Sequence, residues 1–476
     1  MQGAALAVYF LTESEADHGA PTPEPGILPT MRGNERRSAA AKRLVVVSID
    51  GLSLEEWEGV RSLPSFAALI ERGSSSRSLK SVFPSLTYVV HTTMMTGRHP
   101  AAHGVTHNHP LQPGVPTSSQ RWFWYASEVK TPTLFDLARA AGMSTAAVLW
   151  PLVGGARITW NFPEIAALPG ESQTLKVLRA GSAAYLLELQ LRFGKYRRGA
   201  EQPYLDDFVS RCAAYTIERK RPRLLMTHLI ALDAAKHESG SASPLARSAL
   251  EFLDGALGRI VGAVAASGGG LDDTAVVVLG DHGHIDIRRR VRLNLLLEAA
   301  GLCGQKDGRF EWRAWCRCSG GSAFLHVRSG DDEASRLALA ALERAAAEGG
   351  TGIEAILGPS ELAALHCDTD ARAALKAERG TQFVEDMDGD LLEAAPAGAT
   401  LGADHGYAPD TPEYRSLFIA AGPGVRRGVE FGEAEMVDIG PTLARLLGLE
   451  FAVADGRVLE EILEEPAPSR GGAEKA

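Results

Sequence analysis

Blocks of unbroken apolar residues alternate with amphipathic stretches along this chain, and the alternation predicts an α/β fold. Leu44-Val45-Val46-Val47-Ser48-Ile49 is apolar on both faces, as expected of a buried strand in a parallel sheet covered by helices on either side. It stops at Asp50-Gly51. Residues 64–72 read as a helix stopped by Gly73, and residues 79–82 as the strand that follows. Residues 88–95 read as a short helix ending near Gly97, with Thr87 as its N-cap. Further strands are expected over 145–150, 224–232, 274–279 and 416–421. Further helices are expected from Thr131-Pro132 to Ala141, over 245–264 and over 441–447. In the longest of them Leu250, Leu253, Leu257, Ile260 and Val264 recur at helical spacing.

The pattern changes between 305 and 400. Residues 324–327 read as a strand and 333–347 as an Ala-rich helix, with polar loops after them, so this stretch is expected to be a small inserted α+β subdomain. The core would then come in two parts, 43–304 and 401–465. Residues 1–42 mix Pro, Gly, Glu, Arg and Ala without periodicity and read as a disordered leader, with Met31 as an alternative start, and 466–476 read as a disordered tail. No repeat of solenoid period is evident.

Composition narrows the function classes. The chain has 476 residues, 45% of them hydrophobic, enough for one large core or two moderate ones. A formal charge of -10 argues against a stable nucleic-acid partner, which favours basic faces. No apolar run is long enough to span a bilayer. The apolar stretch from Ala4 to Leu11 is short, lacks a basic flank and runs into Glu13 and Glu15, which makes a poor secretory signal. Five cysteines suit a reducing compartment better than a disulfide framework, so a cytoplasmic location is expected, with export through the Ala4–Leu11 stretch as the alternative. Cys316 and Cys318, one residue apart, read as alternate positions of a strand.

The candidate chemistry sits where the expected strands stop. Asp50 follows the first; Asp233 and His237 follow 224–232; Asp281-His282 follows 274–279; and Asp404-His405 precedes 416–421. The carboxyl ends of strands in open α/β sheets form the ligand crevice. Singly, Asp50-Gly51 reads as a turn, Asp233 as a helix cap and Thr87 as an ordinary N-cap. Jointly, a mixed Asp/His set suits Zn²⁺ and similar borderline ions. Two such ions about 3.5–4 Å apart would hold the attacking and leaving oxygens of a displacement at phosphorus and would activate the Thr87 hydroxyl.

With these residues in view, the chain resembles the nucleotide pyrophosphatase/phosphodiesterase branch of the alkaline phosphatase superfamily, over roughly 44–165, 205–300 and 400–465. The resemblance rests on four motifs in order. These are Ile49-Asp50-Gly51; Phe83-Pro84-Ser85-Leu86-Thr87 through His103-Gly104-Val105-Thr106-His107-Asn108; Asp233 to His237; and Asp281-His282-Gly283 with His405-Gly406-Tyr407. It implies an alkaline-phosphatase-like three-layer sandwich with a mostly parallel central sheet. It implies a hydrolase of phosphate diesters or pyrophosphates, acting on a small-molecule diester or nucleotide through a Thr87 nucleophile and a phosphothreonine intermediate.

The same resemblance implies one divalent ion held by Asp50, Thr87, Asp281 and His282, and another held by Asp233, His237 and His405. Zinc is the expected ion, with manganese or iron as alternatives. Asn108 would bind a non-bridging phosphoryl oxygen, helped by the Tyr88 backbone N–H. Tyr88 and Trp150 fall where the family places substrate contacts, with core packing as the other reading for both. Asn161-Phe162-Pro163-Glu164 resembles the stretch beside the leaving-group pocket.

This chain departs from the branch at Val89-Val90, where Pro-Asn is usual, at Leu86, where nucleotide-cleaving members carry Lys, and near Leu168, where a second tyrosine is expected. These changes bear on nucleotide preference and leave the metal chemistry intact. Asp404 stands as a competing ligand. The Ser81–His91 loop carries no basic side chain to meet the second charge of a monoester, so diesters are favoured over a phosphomonoesterase or phosphonate hydrolase reading. An inactive binding protein of the same fold would lack a ligand, and none is missing.

Overall fold

The apolar strands assemble side by side into one sheet. Its order is Val429–Glu430, Gly73–Lys80, Ser416–Ala421, Thr274–Leu279, Arg43–Ile49, Leu224–Leu229, Thr145–Trp150 and Trp160–Pro163, with Ala434–Glu435 also paired to Gly73–Lys80. From Thr274–Leu279 to Trp160–Pro163 neighbouring strands run parallel, whereas Ser416–Ala421 is antiparallel to both its neighbours. This computed structural model describes residues 41–464. The expected leader and tail lie outside that range except for Ala41 and Lys42, and Ala41 is buried, with its N–H donating to Leu446 O at 2.9 Å.

The central strands are apolar on both faces because both faces are covered. Leu44 and Val46 pack on one side with Met226 and Val277 of the neighbouring strands and with Val89, Met94 and Leu443, brought by the helices Thr87–Thr96 and Ile439–Leu446. Val45, Val47 and Ile49 pack on the other with Leu225 and Val276 of the neighbouring strands and with Phe66, Leu253 and Leu257, brought by Pro64–Arg72 and Pro244–Ala266. Each fully buried Val, Leu or Ile contributes about 1.5–3 kcal/mol, so a strand buried on both sides is held far more firmly than an edge strand. The result is the three-layer α/β arrangement expected from the apolar pattern.

Several element boundaries differ from expectation, for local reasons. The expected strand over 224–232 stops at Leu229, because a helix, Ala231–Ser239, begins two residues later. Its first N–H groups donate to the Asp206 carboxylate, from Ala231 at 2.7 Å and Ile230 at 2.8 Å. The strand expected over 79–82 is Gly73–Lys80. The helix expected from Thr131-Pro132 is Leu134–Ala140, capped by Thr133 in a reciprocal capping box with Asp136. Thr87 is the first residue of its helix, with Leu86 at the N-cap, and Gly97 ends that helix with φ of 65°.

A separate apolar cluster forms around the expected insert but reaches beyond 305–400, taking in Ile285, Val291 and Leu297 before it and Tyr407 and Tyr414 after it. Ala314–Cys318, Ser322–Val327, Ala373–Ala377 and Ile353–Leu357 make an antiparallel sheet. The helix Asp332–Glu348 packs Ala334, Ala338 and Leu342 into the same cluster as Leu325 and Leu375. Cys316 and Cys318 are strand residues, and all five cysteines are free. Among the described residues no helix is long and apolar enough to cross a membrane.

Candidate metal centre

Strand register brings the acidic residues to one end of the sheet. Ser48 lies beside His228 on one side and Leu279 on the other, so Asp50 and Asp281 emerge from neighbouring strands at the same level. Asp233 and His237 sit four residues apart on Ala231–Ser239 and share one helix face. The short strand Ala403–Asp404 pairs with Ile285–Asp286, which fastens His405 against the loop carrying His282. The Thr87–Thr96 helix delivers Thr87 from the opposite layer.

All seven expected ligands meet there. His282 Nε2 is 3.2 Å from Asp281 Oδ2, 3.4 Å from Asp50 Oδ1 and 3.4 Å from Thr87 Oγ1. Asp281 Oδ1 accepts from the N–H groups of Gly51 at 3.0 Å and His282 at 2.9 Å, which leaves Oδ2 aimed at the centre. His237 Nε2 is 3.2 Å and His405 Nε2 3.9 Å from Asp233 Oδ1. The rings of His282 and His405 stack with centroids 3.9 Å apart, so the two groups adjoin. His237 Nδ1 donates to Ala403 O at 2.8 Å and His405 Nδ1 to Ser85 O at 3.2 Å, which leaves Nε2 of each as a lone-pair donor to a cation.

The electrostatics call for positive charge. Burial pushes the Asp50 carboxyl well above the usual range, and the neighbouring Asp233 and Asp281 push it further. Burial raises Asp281 as well. Burial opposes ionisation of Asp233 too, but the charge and hydrogen bond of His237, with His284 beside it, outweigh that and hold it well below the usual range. His237, desolvated yet facing Asp233, rises to about 10. Burial drives His282 down to about 3, and burial with the neighbouring His282 drives His405 down to about 4. Asp50 Oδ1 and Asp281 Oδ2 are buried without a hydrogen-bond partner. Three carboxylates, neutral imidazoles and orphaned oxygens in one enclosed space fit divalent cations, which would satisfy those oxygens and displace the His237 proton. Two ligand groups are geometrically competent, Asp233/His237/His284/His405 and Asp50/Asp233/His282, and Asp233 belongs to both.

Asn108 lies against the start of the Thr87 helix. Its Oδ1 accepts from the Tyr88 backbone N–H at 2.9 Å, so that N–H holds Asn108 in place, and the Asn108 NH₂ is the group left to donate. The Tyr88 and Trp150 side chains are 1% and 0% exposed. Tyr88 packs edge-on to Trp122 and its hydroxyl donates to Glu164 at 3.2 Å, while Trp150 packs edge-on to His91. The surroundings of both are those of core residues. Asp404 accepts from Gln382 and from the His405 N–H, and stands 3.7 Å from His237 Nδ1, on the ring edge away from the Nε2 that faces Asp233.

Four contributors escaped the sequence reading. His228 bridges Glu164 Oε2 at 2.8 Å and Asp50 Oδ2 at 3.3 Å, steadying Asp50. His91 Nδ1 donates to Thr87 O at 2.7 Å. Lys236, fully buried, holds Gly51 O at 3.0 Å. His284 joins the Asp233 group. The spacing in Asp281-His282-Gly283-His284 was the available signal for the last, and the others lie inside apolar runs or helices where no local pattern marks them.

Comparison with known proteins agrees with this architecture. The model of the type I phosphodiesterase / nucleotide pyrophosphatase family matches residues 44–408. Human ectonucleotide pyrophosphatase/phosphodiesterase family member 1 is 27% identical over 152 residues, 28% of this chain and 16% of that protein. The venom phosphodiesterase of Macrovipera lebetinus is 25% identical over 152 residues, 29% of this chain and 17% of that protein. The chain thus matches about a sixth of the length of these curated relatives. Among solved structures, human ectonucleotide pyrophosphatase/phosphodiesterase 5 superposes with a TM-score of 0.65 at 17% identity, covering 89% of this chain and 100% of that one. An inactive Thr→Ala form of the murine protein, solved in complex with AMP, superposes at 0.63 with 17% identity and the same coverage.

Proposed function

This chain belongs to the type I phosphodiesterase / nucleotide pyrophosphatase family, and from that premise we propose that it is a two-metal hydrolase of phosphate diesters or pyrophosphates. The observation that carries the reading is the convergence of seven separated side chains on two adjoining groups, with Thr87 Oγ1 3.4 Å from His282 Nε2 at their edge. Asp50, Thr87, Asp281 and His282 would hold one divalent cation, and Asp233, His237 and His405 the other. Zinc suits this donor set, and its presence would polarise the phosphoryl group and lower the pKa of the Thr87 hydroxyl.

Thr87 Oγ1, having given up its proton to water, attacks phosphorus in line with the leaving oxygen. The P–O ester bond breaks, the leaving oxygen departs as an alcohol on taking up a proton, and the phosphoryl group with its remaining ester passes to threonine. Water then attacks the phosphothreonine and frees Thr87. The Asn108 NH₂, held by the Tyr88 N–H, donates to a non-bridging oxygen as charge shifts in the transition state. His91, bonded to the Thr87 carbonyl, fixes the first turn of the helix that aims the nucleophile.

The substrate class follows from charge. The loop around Thr87 is without a cationic side chain from Ser81 to His91, which suits the single charge of a diester. That a structural relative is solved with AMP supports a nucleotide-type small molecule. Two measurements test the reading. Rates on bis-p-nitrophenyl phosphate should exceed those on p-nitrophenyl phosphate, and a clear reversal overturns the diester assignment. Thr87→Ala should keep its metal content and lose turnover, and undiminished turnover removes Thr87 as nucleophile.

A further inference from the structure

His284 lies outside the four motifs that carry the resemblance, yet its imidazole faces the second ligand group. The loop leaving Thr274–Leu279 places Asp281 and His282 beside Asp50 and, two residues on, delivers His284 to the Asp233 group. His284 Nε2 is 2.9 Å from Asp233 Oδ1, the same oxygen that His237 Nε2 approaches at 3.2 Å and His405 Nε2 at 3.9 Å. Its ring centroid stands 5.2 Å from that of His237 and 5.4 Å from that of His405. The side chain is 0% exposed, and its Nδ1 is buried without a partner.

Space for this ring is made by a glycine. A Cβ at Gly51, whose φ is +74°, would lie 2.6 Å from His284 Cε1 and 3.0 Å from Nδ1. Any larger residue there would push the imidazole out of the cluster.

We propose that His284 is a fourth protein ligand of the cation held by Asp233, His237 and His405. Four donors on a sphere of radius about 2.0–2.1 Å stand about 3.3–3.4 Å apart in a tetrahedral shell. The three distances to Asp233 Oδ1 bracket that edge length, and all four donor atoms lie within 4.8 Å of one another. Three imidazoles and one carboxylate form a donor set for Zn²⁺ or a similar borderline ion rather than Mg²⁺ or Ca²⁺. The rival role for His284 is a hydrogen bond that merely orients Asp233, and it predicts an ion that does not touch the ring.

The inference rests on the two-cation reading above, and its test separates the two. Wild-type protein, His284→Ala and His284→Gln are dialysed against a zinc buffer of fixed free concentration, and bound zinc is counted by mass spectrometry, with circular dichroism recorded on each. Crystals of the wild type are soaked with Zn²⁺ and the ions located by anomalous scattering. Two zinc equivalents in the wild type, about one in both variants, and an ion about 2.0–2.2 Å from His284 Nε2 are the results expected. Two equivalents in both variants, or an ion more than about 3 Å from that nitrogen, overturn the fourth ligand and leave the two-metal hydrolase standing. A wild type that binds no zinc, manganese or iron overturns both.

Discussion

Lys236 offers the sharpest test of how the Asp50 loop is held. Its ammonium is buried, 2.7 Å from Glu56 Oε1 and 3.0 Å from Gly51 O, with side-chain exposures of 0% for the lysine and 7% for the glutamate. Lys236→Met keeps the stem and removes the charge. Stranding one partner of a buried ion pair costs about 3–5 kcal/mol. Glu56 keeps two donors, the Ser53 N–H and hydroxyl, both at 2.9 Å, which places the loss near the lower end, about 3 kcal/mol. The lost bond to the Gly51 carbonyl adds about 1 kcal/mol. With an unfolding entropy of about 2.1 cal/mol/K per residue, a chain of 476 residues loses about 4 °C in Tm for that destabilisation.

The assay is thermal unfolding of metal-free protein followed by circular dichroism, with Glu56→Gln and the double variant alongside. Glutamine still accepts from Ser53 but carries no charge, so the double variant should recover at least about 2 kcal/mol of the summed single losses. A Lys236→Met shift below about 1 °C, or a double variant that equals the sum of the singles, would refute the claim that this pair holds the loop.

Two further outcomes follow from the geometry around Thr87 and Ala231–Ser239. Asn108→Ala should lower kcat on a diester about 10²–10³-fold without changing bound metal, as measured by steady-state kinetics and metal analysis, because it removes a donor to the transition state. Burial raises the Asp206 carboxyl to about 6 from its ordinary 3.8, so between those values the folded chain holds a proton that the unfolded chain has released. Stability therefore falls as pH rises through that window, by roughly 3 kcal/mol. Urea midpoints of Asp206→Asn, which still accepts from the Ile230 and Ala231 N–H groups, should be flatter than wild type between pH 4 and 7. Parallel curves would sink the assignment.

The sheet was legible because its signal is local. An apolar run such as 44–49 or 274–279 states its own burial on both faces, and both runs are strands within a residue of their expected limits. Limits set by distant partners were not legible. The apolar stretch from Leu224 to Leu232 reads as continuous, yet the carboxylate that ends its strand and starts the next helix is Asp206, on Tyr204–Tyr215. Thr133 displaced Thr131-Pro132 as a helix start because the capping box with Asp136 satisfies two backbone donors, which a proline at the second position does not.

The candidate site divides along the same line. Asp50, Asp233, Asp281, His282 and His405 stand at or just beyond strand ends, where a single sequence can mark them as a crevice. His228 cannot be marked that way. It lies inside a buried strand, and only the register that sets it beside Ser48 and the turn that brings Glu164 to its Nδ1 make it the steadying partner of Asp50. Tyr88 is the converse case, since an aromatic beside Thr87 suggests a substrate face, but the helix turns it toward Trp122 and Glu164. What surrounds the expected ligands depends on pairings across the sheet. Exchanging His228 would therefore alter the Asp50 side of the centre while leaving the four motifs that carry the resemblance untouched.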